Sequence, residues 1–233
     1  MKNTIKLIGI IALVAVIGFS MAACGDGGDD GNGGGNGSLG STLIITNAQV
    51  YSIVGYDNEY NEYQISEFTG TVANLNHIYD YEENSLNELI DGNPTVTLVN
   101  GKLNVTLGTP KASSLKDMPT LPPGITASTS GVKIFTISGF TDGLPNVTNV
   151  FQDKYEFYEG GRLTSTVEYY YSNKDVKISG TYTYTNSGGT RTGTFAMNIK
   201  AGWNSVISNT TRTGYTMKTG TPPADYKWKV YPH

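Results

Sequence analysis

The chain has 233 residues, of which 16 are basic and 20 are acidic, and its formal net charge is −4 at pH 7. This mildly acidic balance excludes the basic surface that marks a nucleic-acid-binding protein, so no nucleic-acid partner is expected. The length is sufficient for one hydrophobic core without disulfides, because a chain of this size buries roughly 70% of its surface.

The N-terminal segment has the features of a secretory leader. Lys2 and Lys6 precede an uninterrupted apolar run, residues 7–19, which is 13 residues long. A membrane-spanning helix needs about 20 apolar residues, whereas the apolar region of a signal peptide has roughly 7–15. Residues 1–23 are therefore predicted to export the chain and then to be removed, which leaves 14 basic residues against 20 acidic ones.

The single cysteine, Cys24, follows this leader directly and is preceded by Met21, Ala22 and Ala23. This pattern resembles the lipobox of bacterial lipoproteins, although methionine replaces the more usual leucine. The resemblance implies that Cys24 becomes the lipidated first residue, anchored in the bacterial cell envelope, at the periplasmic face or on the cell surface. The alternative is an ordinary signal peptide cleaved near Ala23, with an incidental cysteine after it.

Residues 24–41 are predicted to form a disordered tether. Nine of the sixteen residues from 25 to 40 are glycine and three are aspartate, a composition that cannot bury a core. Gly35, Gly37 and Gly40 match the spacing of a dinucleotide-binding loop. That motif requires a preceding strand and a following helix, and neither is predicted, so no cofactor is expected.

Residues 42–233 are predicted to form one all-β domain, with two smaller sheets divided at a proline-rich loop as the alternative. Residues 95–107 alternate around Asn100-Gly101, which is typical of a hairpin with a type I′ turn. Residues 85–91 predict one short helix, with Ser85 and Glu88 as a capping box and Gly92 after its end. Residues 108–124 contain four prolines and predict a long loop or a cover over a sheet edge.

The C-terminal half contains successive alternating segments: VFQDKYEFY, RLTSTVEYYYS, VKISGTYTYT and TRTGTFAMNIK. In the second, Val167 and Tyr169 share one face while Glu168 and Tyr170 take the other. Such alternation is typical of antiparallel sheets with one buried and one solvated face. We therefore predict an antiparallel meander that forms a β-sandwich or an up-and-down, lipocalin-like barrel.

The last forty residues carry a second resemblance. The stretches NIKAGWNSVIS and PPADYKWKVYP look like the C-terminal ends of small lipoproteins from spirochaetes and Bacteroidetes, in which a Gly-Trp-Asn turn and a final Lys-Trp strand recur in this order. The resemblance implies an envelope location and no catalytic residue. Gly202 is expected to permit a tight turn, and Trp203 and Trp228 to pack on the end of the core.

Catalytic and metal-binding patterns are weak. The chain has only two histidines, His77 and His233, and neither lies in a nucleophile or metal motif. Glu156 and Glu168 lie on neighbouring predicted strands, which leaves a glycan-active enzyme with paired carboxylates as an alternative. Asp57, Glu59 and Asn61 resemble the opening of a calcium loop, but Glu62 and Phe68 stand where an EF-hand needs glycine and glutamate. No metal site is predicted.

Tyrosine is the strongest functional hint, because all sixteen tyrosines lie beyond the tether. A binding surface is predicted at four of them, which fall in a loop or on a face expected to be solvated: Tyr56, Tyr60, Tyr63 and Tyr170. Tyrosine is enriched in interfaces, although it also suits half-buried strands. The predicted function is a lipid-anchored, non-enzymatic binding domain for another envelope protein or a glycan. A lipocalin-like carrier of a small apolar ligand is the first alternative.

Overall fold

The computed structural model describes residues 37–57, 62–72, 75–81, 84–142, 148–158, 161–186 and 189–232. Across these ranges the chain is almost entirely β-structure in one mixed sheet of seventeen strands, which confirms the all-β prediction. The strands are β1 (Ser38–Gly40), β2 (Leu43–Asp57), β3 (Glu62–Glu67), β4 (His77–Ile78), β5 (Thr95–Val99), β6 (Lys102–Leu107), β7 (Lys116–Asp117), β8 (Ile125–Ala127), β9 (Lys133–Ile137), β10 (Gly139–Thr141), β11 (Thr148–Tyr158), β12 (Gly161–Ser172), β13 (Val176–Asn186), β14 (Gly189–Ile199), β15 (Gly202–Thr211), β16 (Gly214–Thr219) and β17 (Lys227–Pro232).

The strand pairings form one long path, in the order β5, β6, β2, β17, β11, β12, β15, β16, β14, β13 and β8. Most pairs are antiparallel, while β14 with β16 and β17 with β2 are parallel. The sheet is not closed on itself. Strands from both sides of the proline-rich segment pair with one another, as β2 does with β17 and β4 with β10.

The prediction of a continuous meander is wrong, although the strands themselves were placed within two residues of their observed ends. β11 pairs with β12, and β13 pairs with β14, as hairpins. β12 then pairs with β15 over eight residues instead of with β13. Alternation along a strand fixes which residues share a face, but it carries no information about which neighbour supplies the hydrogen bonds.

Hydrophobic residues cover both faces of the central β12–β15 pair. Val167 and Trp203 belong to one core cluster, whereas Val206 belongs to a second cluster with Ile178 and Met197. The first six residues of β15 are consequently all buried. The prediction of one buried and one solvated face is therefore wrong for this part of the sheet, because a second layer of strands covers the face expected to be solvated.

The predicted hairpin at residues 95–107 is confirmed as β5 and β6. Asn100 and Gly101 have φ of 49° and 72°, the positive values that a type I′ turn requires at both central residues. Glycine is needed at 101 for a second reason. A Cβ there would lie 1.7 Å from the carbonyl oxygen of Phe68, since the segment before residue 70 packs directly against this turn.

The predicted helix is present as the single turn α1 (Leu86–Leu89), which starts after Ser85. The Ser85 backbone N–H donates to Glu88 Oε2 at 2.7 Å, so the predicted partner residue does serve the helix start. Leu86 and Leu89 are buried. Within the described ranges, no helix has the length and hydropathy to cross a bilayer.

The folded domain begins earlier than predicted. Residues 38–40, assigned to the tether from sequence, form β1 and pair with Trp203 and Asn204 of β15. The carbonyl oxygen of Gly37 accepts a 2.9 Å hydrogen bond from the Ser205 N–H. A Cβ at residue 37 would lie 2.6 Å from the Gly220 nitrogen. Glycine at position 37 therefore allows two backbone segments to approach closely, although the glycine content of this region predicted disorder.

The two tryptophans pack in the core, as predicted. Trp203 is fully buried, and its indole Nε1–H donates to the Gly108 carbonyl oxygen at 2.9 Å. The Trp228 ring stacks with Tyr169 at a centroid distance of 6.2 Å. Gly202, at φ 98°, begins β15 where a Cβ would lie 2.4 Å from the Gly40 carbonyl oxygen. The close approach of β1 therefore requires glycine before Trp203.

Candidate functional site: a polar row across six strands

Hydrogen-bonding side chains lie side by side across six neighbouring strands. The strand registers pair Lys154 with Ser165, and Ser165 in turn with Asn209. Asn209 pairs with Thr216, Thr216 with Thr194, and Thr194 with Thr181. We call this set the polar row: Lys154, Ser165, Asn209, Thr216, Thr194 and Thr181.

The polar row occupies one face of the sheet. Residues directly opposite each other on paired strands project from the same face, and each member of the row is the partner of the next. Neighbouring strands lie about 4.8 Å apart, so six strands give a row roughly 24 Å long. It lies on the face that carries Val167 and Ile207 of the first core cluster, two residues from each along its strand.

Threonines of β13 and β14 widen the row at one end. Thr183 pairs with Thr192, and Thr185 pairs with Thr190. The hydroxyl oxygens of Thr185 and Thr190 lie 3.3 Å apart. All four residues are exposed. The prediction of a solvated face is therefore confirmed for β13 and β14, whereas the corresponding face of β12 is covered.

Aromatic side chains on the opposite face of β13 and β14 account for this arrangement. Tyr182 and Tyr184 alternate with the threonines, and their rings contact Tyr215 of β16. The Tyr182 and Tyr215 hydroxyl oxygens are 2.6 Å apart. Gly193 leaves room for the Tyr182 ring, since a Cβ there would lie 2.4 Å from Tyr182 Cε1. With the rings packed on one side, the threonines are left on the other.

An open groove of about 300 Å³ lies along the half of the row that runs from β11 to β16. Three row members and Lys218 contribute to its walls, and the full lining is Lys154, Ile207, Asn209, Thr210, Thr211, Thr216, Lys218, Pro223, Asp225 and Tyr226. Lys154 Nζ lies 2.8 Å from Asp225 Oδ2. The hydrogen bond from Lys154 lowers the pKa of the Asp225 carboxyl. The groove therefore presents hydroxyls, an amide, two lysines and a carboxylate.

A hydrogen bond between two members of the row fixes the orientation of one of them. The Ser165 hydroxyl donates to Asn209 Oδ1 at 2.7 Å, which fixes the orientation of that amide. Ser165 is buried, whereas Asn209, Thr216 and Thr181 are exposed. Hydroxyl groups both donate and accept hydrogen bonds, as an amide does through its two ends. Such a surface matches a ligand that is itself rich in hydroxyl groups.

Most of the predicted tyrosine surface lies outside the described side chains. This applies to Tyr56, Tyr60 and Tyr63. Tyr170 is described, and its predicted place on a solvated face is wrong. It is half-buried against the second core cluster, and its hydroxyl donates to Glu168 Oε2 at 2.9 Å. Burial, followed by the nearby Glu168 charge, raises the pKa of the Tyr170 hydroxyl.

Glu168 is also withdrawn from water, contrary to the sequence interpretation. Burial raises the pKa of its carboxyl above the ordinary value, an effect that the Tyr170 hydrogen bond opposes. Its predicted catalytic partner, Glu156, pairs in register with Leu163, five residues from Glu168 along β12. At about 3.3 Å per residue the two backbone positions are roughly 16 Å apart along the strand, so the strand pairing does not place the two residues side by side.

Metal coordination receives no support from the described residues, which contain no group of three histidine, cysteine or acidic side chains able to hold an ion. The calcium-like segment lies mostly outside them, since residues 58–61 are not described. His77 is half-buried, and its backbone pairs with Thr141. Cys24 and residues 1–36 also lie outside the described ranges.

Sequence reasoning missed Asn209, Thr216 and Thr194 as a set. The repeated threonines in TYTYT and TRTGT predict a solvated face, which was the available signal. Membership of one row depends on the register of strands far apart in the chain, and no local pattern encodes it. No family model, curated protein or solved structure matches the chain.

Proposed function

We propose that the protein is a lipid-anchored component of a bacterial cell envelope whose β domain binds a polysaccharide along the polar row. The observation that carries the binding proposal is the register of six hydrogen-bonding side chains across six strands. Their spacing of about 4.8 Å is comparable with the length of one sugar ring along a polysaccharide. The exposed members Asn209, Thr216 and Thr181 can therefore meet sugar units of the ligand, while the buried Ser165 orients the Asn209 amide.

The groove supports a polar ligand more than a protein partner. The core of a protein–protein interface is apolar and depleted in charged residues. Here the walls contain three threonines, Asn209, two lysines and Asp225. Lys218 is exposed and adds positive charge beside the hydroxyls. A polysaccharide that carries acidic groups fits this combination best.

The lipid anchor is supported by the sequence around Cys24. Twelve residues, 25–36, separate the cysteine from Gly37, whose carbonyl oxygen accepts a hydrogen bond from the Ser205 N–H. A glycine-rich linker of that length has an r.m.s. reach of about 17–21 Å. Two or more acyl chains on Cys24 would retain the domain stably at the membrane.

The described fold does not favour the lipocalin-like alternative. It depends on a closed meander, whereas the described sheet is open and its order is not that of a meander. Side chains fill the space on both faces of β12 and β15. An apolar ligand would also find few apolar walls in the described groove, where Ile207, Pro223 and Tyr226 are the apolar or aromatic members.

Co-sedimentation of the full-length protein with a panel of insoluble polysaccharides, peptidoglycan sacculi included, tests the proposal. The double variant Asn209→Ala, Thr216→Val removes an amide and a hydroxyl from the row. Thr97→Val is the matched control, because Thr97 is an exposed strand threonine on β5, outside the row. We expect the wild type and Thr97→Val to sediment equally and the double variant to remain in solution. Equal sedimentation of all three, or of none, contradicts the proposal.

A further inference from the structure

A buried lysine and a buried aspartate meet between the last strand of the chain and β11. Lys229 Nζ lies 2.6 Å from Asp153 Oδ1, and the two side chains are 6% and 2% exposed. The Tyr231 hydroxyl donates to the other carboxyl oxygen, Asp153 Oδ2, at 2.8 Å. All three residues project from one face, because Asp153 pairs with Lys227, two residues before Lys229 on β17.

The reaction that joins an amine to a carboxyl group starts from the neutral forms of the two groups. Transfer of one proton from Nζ to the carboxyl group removes both charges. It leaves a neutral amine, which is a nucleophile, in contact with a protonated carboxyl group, which is an electrophile.

Tyr231 is placed to assist attack at that carboxyl group. Its O–H is directed at Oδ2, the oxygen that becomes negatively charged when a nucleophile adds to the carboxyl carbon. A donor held at such an oxygen stabilises the tetrahedral intermediate. Oδ1, the oxygen nearest Nζ, is then the one positioned to leave.

We propose that Lys229 and Asp153 condense into an intramolecular isopeptide bond. Lys229 Nζ attacks the Asp153 carboxyl carbon, and a carbon–nitrogen bond forms. The bond from that carbon to Oδ1 breaks, and Oδ1 leaves as water with the two protons that the ammonium group gives up. Nζ keeps one hydrogen as an amide. No oxidant, reductant or other reactant is needed.

The bond would join β17 covalently to β11 across 76 positions of sequence. A cross-link that closes a long loop stabilises a fold by restricting its unfolded chain. The chain has one cysteine and so no internal disulfide. An amide bond between Lys229 and Asp153 would supply a covalent cross-link within the chain without cysteines.

Tryptic peptide mapping of the folded full-length chain by mass spectrometry tests the proposal. Trypsin should fail to cleave after Lys229, so that residues 134–154 and 228–233 appear as one joined species, lighter by one water than the sum of the two peptides. Lys154 and Asp225, an ion pair at 2.8 Å whose side chains are 35% and 54% exposed, provide the internal control and should not be joined to each other.

Three variants separate this reaction from other losses of water. Asp153→Ala should abolish the joined species, and Lys229→Arg should do the same while keeping the positive charge. In Asp153→Asn the joined species should form with loss of ammonia instead of water. Separate, full-mass peptides from the wild type overturn the proposal. A water loss that maps elsewhere, such as to a succinimide at Asp91-Gly92, overturns it equally.

Discussion

The hydroxyl of Ser165 donates a 2.7 Å hydrogen bond to Oδ1 of Asn209 and so joins β12 to β15 within the polar row. Ser165 is buried while Asn209 is exposed. The buried serine therefore fixes the orientation of the exposed amide through its oxygen. This makes Ser165 a positioning residue for the proposed ligand surface.

Replacing Ser165 by alanine is expected to weaken both stability and binding. The lost hydrogen bond should lower the free energy of unfolding by about 1 kcal/mol, measured by urea denaturation. Polysaccharide co-sedimentation should fall as well, because the Asn209 amide is no longer held in one orientation. Ser208→Ala on the opposite face of β15 serves as the control. A loss of stability with unchanged binding would contradict the positioning role of Ser165.

Loss of a positive charge at the groove should selectively weaken the binding of acidic ligands. Lys218→Gln removes one exposed cation, which contributes about 0.5–1 kcal/mol at such a site, so affinity for an acidic polysaccharide should fall about two- to fivefold. Binding should also become less sensitive to salt, because screening acts on exposed charges. Lys177→Gln, at an exposed lysine on β13 that does not line the groove, should leave both quantities unchanged. Equal effects from the two substitutions would show that only net charge matters.

Two glycines with similar backbone angles should respond differently to alanine. Gly92 and Gly101 have φ of 83° and 72°, but a Cβ at 92 meets nothing within 4 Å, whereas a Cβ at 101 lies 1.7 Å from the Phe68 carbonyl oxygen. Gly92→Ala should cost only the left-handed backbone penalty of about 1–2 kcal/mol. Gly101→Ala should cost clearly more, since the backbone before residue 70 must move. Equal urea midpoints for both variants would contradict the close packing at this turn.

Truncation of Trp203 should destabilise the fold strongly. The side chain is fully buried between β9 and β12 neighbours, in ring contact with Phe135 and Tyr171. Trp203→Ala should lower the free energy of unfolding by about 3–5 kcal/mol. Trp203→Phe keeps a ring but loses the hydrogen bond to the Gly108 carbonyl oxygen, so its cost should be smaller. Thermal or urea denaturation of both variants checks this order.

The pH dependence of stability should carry a contribution from Glu168. Burial raises the pKa of its carboxyl in the folded state above the ordinary value of 4.5, so the folded protein binds the proton more tightly than the unfolded chain. This contribution is fully present below the unfolded pKa and is lost as pH rises through the folded pKa. Glu168→Gln should remove that loss and flatten the fall in stability above pH 4.5. An unchanged difference between wild type and variant at all pH values would contradict the raised pKa.

Local chemistry accounts for the parts of the fold that sequence predicted well. Asn100-Gly101 specified its turn, Ser85 and Glu88 marked the helix start, and the alternating segments located the long strands. The order of the strands in the sheet could not be predicted from the sequence. The pairing of β12 with β15 depends on side chains that cover both faces, and the same pattern of apolar and polar residues would serve other neighbours.

In the candidate site, too, some features could be predicted from the sequence and others could not. The exposed threonines of β13 and β14 follow from alternation, but their alignment with Asn209 and Lys154 follows from registers between distant segments. Tyr170 failed as a surface residue because the second core cluster covers it. The ion pair of Asp153 and Lys229 left no local signal, since a charged residue in an alternating strand normally indicates a solvated position.

Hydrogen–deuterium exchange of the full-length protein, with and without the polysaccharide that sediments with it, tests the binding surface most directly. Bound polysaccharide should slow amide exchange along β14, β15 and β16, where the polar row crosses the sheet, and leave the β5–β6 hairpin unchanged. Slowed exchange confined to β5–β6, or no polysaccharide-dependent change in β14–β16, would contradict the account.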